Sequence, residues 1–141
     1  MGKSQRRKGH NWEREVAKRL RNLGLDARRN VTETQTGNTG DVHVYDAQGD
    51  MLMCVQCKNM KSPSIWKAME EAIEAAESHG IDWPVPVSIV KRTAKAGGPV
   101  EEYAVMRLED WAKFLMSYKF GEPIRRFMEM GPPEQDMDNM N

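Results

Sequence analysis

Cysteine is scarce in this chain of 141 residues: only Cys54 and Cys57, in a C-x-x-C spacing. Histidine is nearly as scarce, with His10, His43 and His79. A structural zinc needs about four ligands, and these histidines supply no second cluster at metal-ligand spacing. The cysteines also fall in a stretch that reads as a strand. Side chains alternate faces there, so an offset of three puts the thiols on opposite sides of the sheet. Two small, partly buried residues are expected, not a redox or zinc pair. No apolar run approaches the ~20 residues of a membrane helix. The basic N-terminus has no apolar stretch behind it, so no secretory signal is expected and the cytoplasm is the expected compartment.

Net charge is also missing, with 21 Lys/Arg against 21 Asp/Glu. The balance conceals a gradient. Residues 1–30 hold ten Lys/Arg and three acids, a surplus of +7, which leaves −7 for the remainder. Basic charge gathered at one end fits a polyanion-binding face or a solvated basic helix, and charge alone does not separate them. The last fifteen residues carry four acids and no base and read as a poorly packed tail.

What is present is an ordinary globular composition, 39% hydrophobic and 30% charged. The length suits one domain with one core. The reading is a basic arm over 1–7, a single domain over 8–120 and an acidic, Met-rich tail over 121–141. Patterning predicts a helix over 8–22, stopped at Gly24, and a short strand over 25–31. A polar loop over 32–40 leads to a hairpin of strands 41–45 and 51–58. A helix capped by Ser62 or Ser64 runs to about Ser78. Strands over 84–91 and 102–107 and a helix over 108–118 follow. The order α-β-β-β-α-β-β-α predicts an α/β fold, a mixed sheet with helices against it.

Chemistry concentrates on the hairpin. Gln56 and Lys58 are two apart and share a strand face. Asp41 opens the partner strand and meets Gln56 if the register is right. Val42, Val44, Met53 and Val55 take the other parity and anchor the strands. On the first helix, Trp12, Val16, Ala17, Leu20 and Leu23 form an apolar arc at ~100° per residue, and Glu13 falls inside it. A carboxylate there needs a partner: either a divalent metal or a nearby Lys or Arg. Oxygen ligands of this kind suit Mg²⁺, and with Lys58 they fit metal-dependent phosphodiester cleavage.

The segments KGHNWEREVAKRL (8–20), TGNTGDVHV (36–44) and VQCK (55–58) resemble the PD-(D/E)xK nuclease superfamily, and within it phage and archaeal-type Holliday junction resolvases. The resemblance spans roughly residues 3–92. It implies a restriction-endonuclease-like mixed β-sheet flanked by α-helices, and a Mg²⁺ (or Mn²⁺) requirement. It also implies a homodimer that hydrolyses phosphodiester bonds at branched DNA, leaving a 5′-phosphate, in DNA recombination; for a phage protein the compartment is the host cytoplasm. By position it assigns Glu13, Asp41, Gln56 and Lys58 as the catalytic set, with Glu13, Asp41 and Gln56 on the metal.

Gln56 departs from the pattern, since a carboxylate usually stands there. Its amide oxygen can still ligate but brings no charge, so metal affinity should fall. Gln occupies this position in some active members of the superfamily. The alternative is a non-catalytic or attenuated nuclease-fold module that binds DNA without cutting. Arg6, Arg7 and Lys8 are candidate phosphate contacts, or part of a tail without a specific partner. Arg28 and Arg29 line the same groove, or are plain strand charges. Thr36 and Asn38 lie in the loop before Asp41, where backbone amides approach a phosphate or merely connect strands. Ile65, Met69, Ile73 and Ala76 are read as the core face of their helix. Trp66 and Trp83 are open between core, dimer contact and stacking on an unpaired base.

Overall fold

The computed structural model describes residues 3–31, 38–92 and 98–120. The chain divides into two compact units, 1–106 and 107–141, so the break falls earlier than the expected domain end at 120. The first unit holds α1 (Lys3–Asn22), β1 (Asp26–Arg29), β2 (Val42–Tyr45), β3 (Met51–Met60), α2 (Ile65–Glu77), β4 (Val85–Arg92) and β5 (Glu101–Met106). The described part of the second is α3 (Leu108–Phe120). Residues 121–141, read as a tail, lie outside the described residues, as does Thr36.

The first helix corrects the expected arm. It begins at Lys3, not Lys8, so Arg6 and Arg7 are helical. Lys, Gln and Arg favour helix, and the single Gly9 costs only about 1 kcal/mol. The helix ends as its sequence directs. Gly24 takes φ 96°, its N–H reaches the Arg21 carbonyl at 2.9 Å, and Leu25 N–H reaches Leu20 at 3.1 Å. These are the two bonds of a Schellman cap. Trp12, Val16 and Ala17 are buried as the arc requires. Leu23 is not. It lies past the helix end and is 78% exposed, so the arc closes at Leu20.

Five strands form one mixed sheet in the order β1-β2-β3-β4-β5. Only β3 and β4 are parallel, because α2 supplies the crossover a parallel pair needs. The hairpin register pairs Val42 with Val55 and Val44 with Met53. Val42, Val44 and Val55 are buried and Met53 is half-buried.

The two helices of this unit cover opposite faces. Trp12 of α1 donates its indole N–H to the Ile89 carbonyl at 3.2 Å, and Lys91 sits 5.0 Å over the Trp12 ring. On the other face, Cys54 packs with Ala75 and Ala76 of α2, and the Ser88 hydroxyl donates to the Ala68 carbonyl at 3.0 Å. The α2 core face is Ala68, Ala72, Ala75 and Ala76; of the expected Ile65, Met69, Ile73 and Ala76, only Ala76 is fully buried, and Met69 and Ile73 are half-buried. Ile65 is exposed. Small side chains let the helix settle close to β3 and β4, so size outranks hydrophobicity here. Ser64 caps α2 by accepting from Lys67 N–H at 3.2 Å. Trp66 is 83% exposed, whereas Trp83 packs against the Cys54–alanine cluster. Within the second unit, Arg107 bonds the buried Asp110 at 2.8 Å in the first turn of α3. No helix among the described residues is long and apolar enough to cross a membrane.

Candidate active site

Asp41 stands immediately before β2 and is tied into the sheet. Its N–H donates to the Val55 carbonyl at 2.9 Å, and its carbonyl accepts from Asn30 N–H at 2.8 Å. One carboxylate oxygen accepts from the Cys57 N–H at 2.8 Å. The ladder ends at Val42–Val55, and Asp41, one residue outside it, bonds Val55 through its N–H and Cys57 through its carboxylate, the two residues that flank Gln56. Lys58 follows two residues later on the Gln56 parity, the face that α2 covers.

There Lys58 forms an ion pair with Glu71 of α2, both side chains about three-quarters buried. Sequence reading missed Glu71, although the signal was present. Glu71 lies three residues after Ala68 and four before Ala75, which puts it at the edge of the alanine face. Glu13 arrives from α1, on the opposite side of the sheet. It is well buried, and its carboxylate accepts from Arg29 Nε at 3.2 Å. Of its two possible partners, an arginine is thus present. The Arg29 side chain faces Glu13, which makes it a neighbour of the carboxylate set as well as a groove residue.

These charges meet at Asp41. Burial pushes its carboxyl up to about 6. The negative charges of Glu13 and Glu71 push the same way, while the Cys57 N–H and the Lys58 charge oppose. Asp41 therefore feels both Glu13, which Arg29 pairs, and Glu71, which Lys58 pairs. Such concentrations of carboxylates raise a carboxyl pKa unless a cation joins them.

A hard divalent ion fits this donor set. Gln56 is 9% exposed, and its amide oxygen has no hydrogen-bond donor among the described residues. A buried acceptor without a donor is costly. It belongs to the residue between Val55 and Cys57, the two that Asp41 bonds, and an oxygen-seeking cation would supply its missing partner. Glu13, Asp41 and Gln56 offer only oxygen atoms, the donors Mg²⁺ or Mn²⁺ takes.

The candidate DNA contacts divide into groups. Arg6 and Arg7 are exposed on α1 and Lys8 is half-buried. Arg7, Lys8, Asn59 and Lys91 border one shallow cavity. Arg28 pairs with Asp26 at 3.0 Å and lies 4.5 Å over the Tyr45 ring. The Asn38 amide holds the chain: it donates to the Glu71 carbonyl at 2.8 Å and accepts from Gly40 N–H at 3.2 Å. That bond ties the approach to Asp41 onto the helix carrying Glu71.

No protein-family model matches this chain, and no curated protein matches it. Both cysteines are free. Burial pushes the Cys54 thiol up to about 12 and raises Cys57 as well, so both are protonated thiols in the metal-free protein. The histidines correct the sequence reading. His43 and His79 meet at Cys54, because the α2–β4 turn returns over the hairpin, which linear spacing does not reveal.

Proposed function

We propose that the protein is a Mg²⁺- or Mn²⁺-dependent DNA endonuclease acting on branched DNA, with four-way junctions as the substrate class. The observation that carries this reading is that Glu13, Glu71 and Lys58 all act on the buried Asp41, which bonds the two residues flanking the donorless Gln56. Glu13, Asp41 and Gln56 would hold the ion. When bound, it polarises the scissile phosphate and lowers the pKa of a water. The remaining work falls to the protein. Asp41 must be ionised to serve as a ligand, and the Cys57 N–H fixes its orientation. Lys58 donates toward the charge that develops on the phosphate. Glu71 holds the ammonium in place until substrate competes for it. The basic face of α1 supplies sequence-independent attraction to the backbone.

The experiment is cleavage of a labelled four-way junction, a flap and a linear duplex with Mg²⁺. Junction cleavage is the expected outcome, abolished in Asp41→Ala and Lys58→Ala. Absence of cleavage with any divalent ion would overturn the reading. A second reading, DNA binding without cutting, is favoured by the Lys58–Glu71 pair, which neutralises the lysine. It requires binding that is indifferent to divalent ions and to Lys58→Ala.

A further inference from the structure

Three side chains of metal-ligating type meet beside Asp41 but outside the carboxylate set. His43 projects from β2, Cys54 from β3, and His79 from the turn after α2. Their ligand atoms all lie within 4.8 Å of one another. The rings stand edge to face, centroids 5.2 Å apart. All three converge on one backbone oxygen. His43 Nε2 is 2.8 Å from the Thr39 carbonyl oxygen, His79 Nε2 is 2.9 Å and Cys54 Sγ is 3.4 Å.

Hydrogen bonding alone does not account for this arrangement. A carbonyl oxygen has two lone pairs, and here three side-chain donors point at it. Two histidines and a cysteine brought to one oxygen from three elements make a donor set ready to exchange protons for a cation. The approach is also enforced. Gly40, at φ 95°, passes so near that a Cβ there would lie 2.5 Å from Cys54 Sγ and 3.3 Å from His43 Nε2. Only glycine permits the chain to cross over the cluster. One side stays open, since Thr39, His43 and His79 line a surface cleft of about 430 Å³.

We propose that His43, Cys54 and His79 form a binding site for a borderline-soft divalent cation of the Zn²⁺ class, with the Thr39 carbonyl as the fourth donor. Nitrogen and sulfur donors select such ions over Mg²⁺. Ligand atoms around a tetrahedral zinc stand about 3.5 Å apart, so closure takes shifts of only about an ångström. Binding would cross-link β2, β3 and the end of α2. It would also fix Thr39, two residues before Asp41. The proposal does not depend on nuclease activity.

The test uses the reduced, metal-free full chain titrated with Co²⁺, then Zn²⁺. The expected result is one thiolate-ligated Co²⁺ per chain, counted by its sulfur-to-cobalt charge-transfer band and the intense visible bands of a four-coordinate ion, all displaced by Zn²⁺. Cys57→Ser should keep these bands. Cys54→Ser should lose the charge-transfer band. His79→Ala, at an exposed position, should fold normally and weaken Co²⁺ binding by about tenfold or more. No thiolate band in the unmodified chain overturns the proposal. So does a band that follows Cys57 instead of Cys54, or unchanged affinity in a folded His79→Ala protein.

Discussion

Asp41 is held in a neighbourhood that resists its ionisation, and this has opposite consequences for stability and for catalysis. Its folded pKa, about 6, lies above the ordinary 3.8. The folded state therefore keeps a proton that the unfolded chain releases. Its contribution to stability is full below about 3.8 and is lost as pH rises through about 6. That rise in pKa corresponds to about 3 kcal/mol at most. Asp41→Asn should accordingly stabilise the metal-free protein at pH 8 by about 1–3 kcal/mol, with little effect at pH 4, as urea denaturation at the two pH values would measure. Cleavage should run the other way. At subsaturating Mg²⁺ its rate should climb tenfold per pH unit below about 6 and level off above, and a flat profile would contradict a role for ionised Asp41. Gln56→Glu adds a further carboxylate to the same cluster. It should raise Mg²⁺ affinity by about tenfold or more, move the rising limb to higher pH and lower metal-free stability at pH 8. Mg²⁺ titration of both proteins checks this.

At the scale of elements, the alanine face of α2 decides where Glu71 sits. Ala72 is fully buried against the sheet, and a larger side chain there must lift the helix. Ala72→Leu should cost about 1–3 kcal/mol by overpacking. It should also reduce cleavage more than that loss explains, because Glu71 leaves Lys58; denaturation and single-turnover cleavage on the same protein separate the two effects. This face also marks where sequence was legible and where it was not. Trp12, Val16 and Ala17 announce their burial by period, and the hairpin announces itself through alternation and its turn. The α2 face misleads because Ile65 and Ile73 look more buriable than alanines. What inverts them is the close approach to β3 and β4, a tertiary fact. Glu71 and the histidine cluster went unread for the same reason. Both depend on where α2 lands, whereas Glu13, Asp41, Gln56 and Lys58 follow from local pattern together with a family resemblance.

At the scale of the whole molecule, α1 carries eight Lys/Arg against two Glu, and its apolar side packs on β1 and β3. If that helix tracks a phosphate backbone, Arg6→Ala, Arg7→Ala and Lys8→Ala combined should flatten the log Kd against log salt dependence by up to about three. Filter binding across a salt series reads the slope, and an unchanged slope removes these residues from the DNA face. The bond from Trp12 to Ile89 carries a different kind of consequence. Glu13, Asp41, Gln56, Lys58 and Glu71 all lie within the first 71 residues, yet α1 is anchored through a strand that begins only at Val85. During synthesis, every reactive group therefore leaves the ribosome before the partner that orders them. A nascent chain ending short of β4 would possess the complete chemistry without its geometry. Competence to cut would arrive late and all at once, when the parallel strand pairs and the first helix docks.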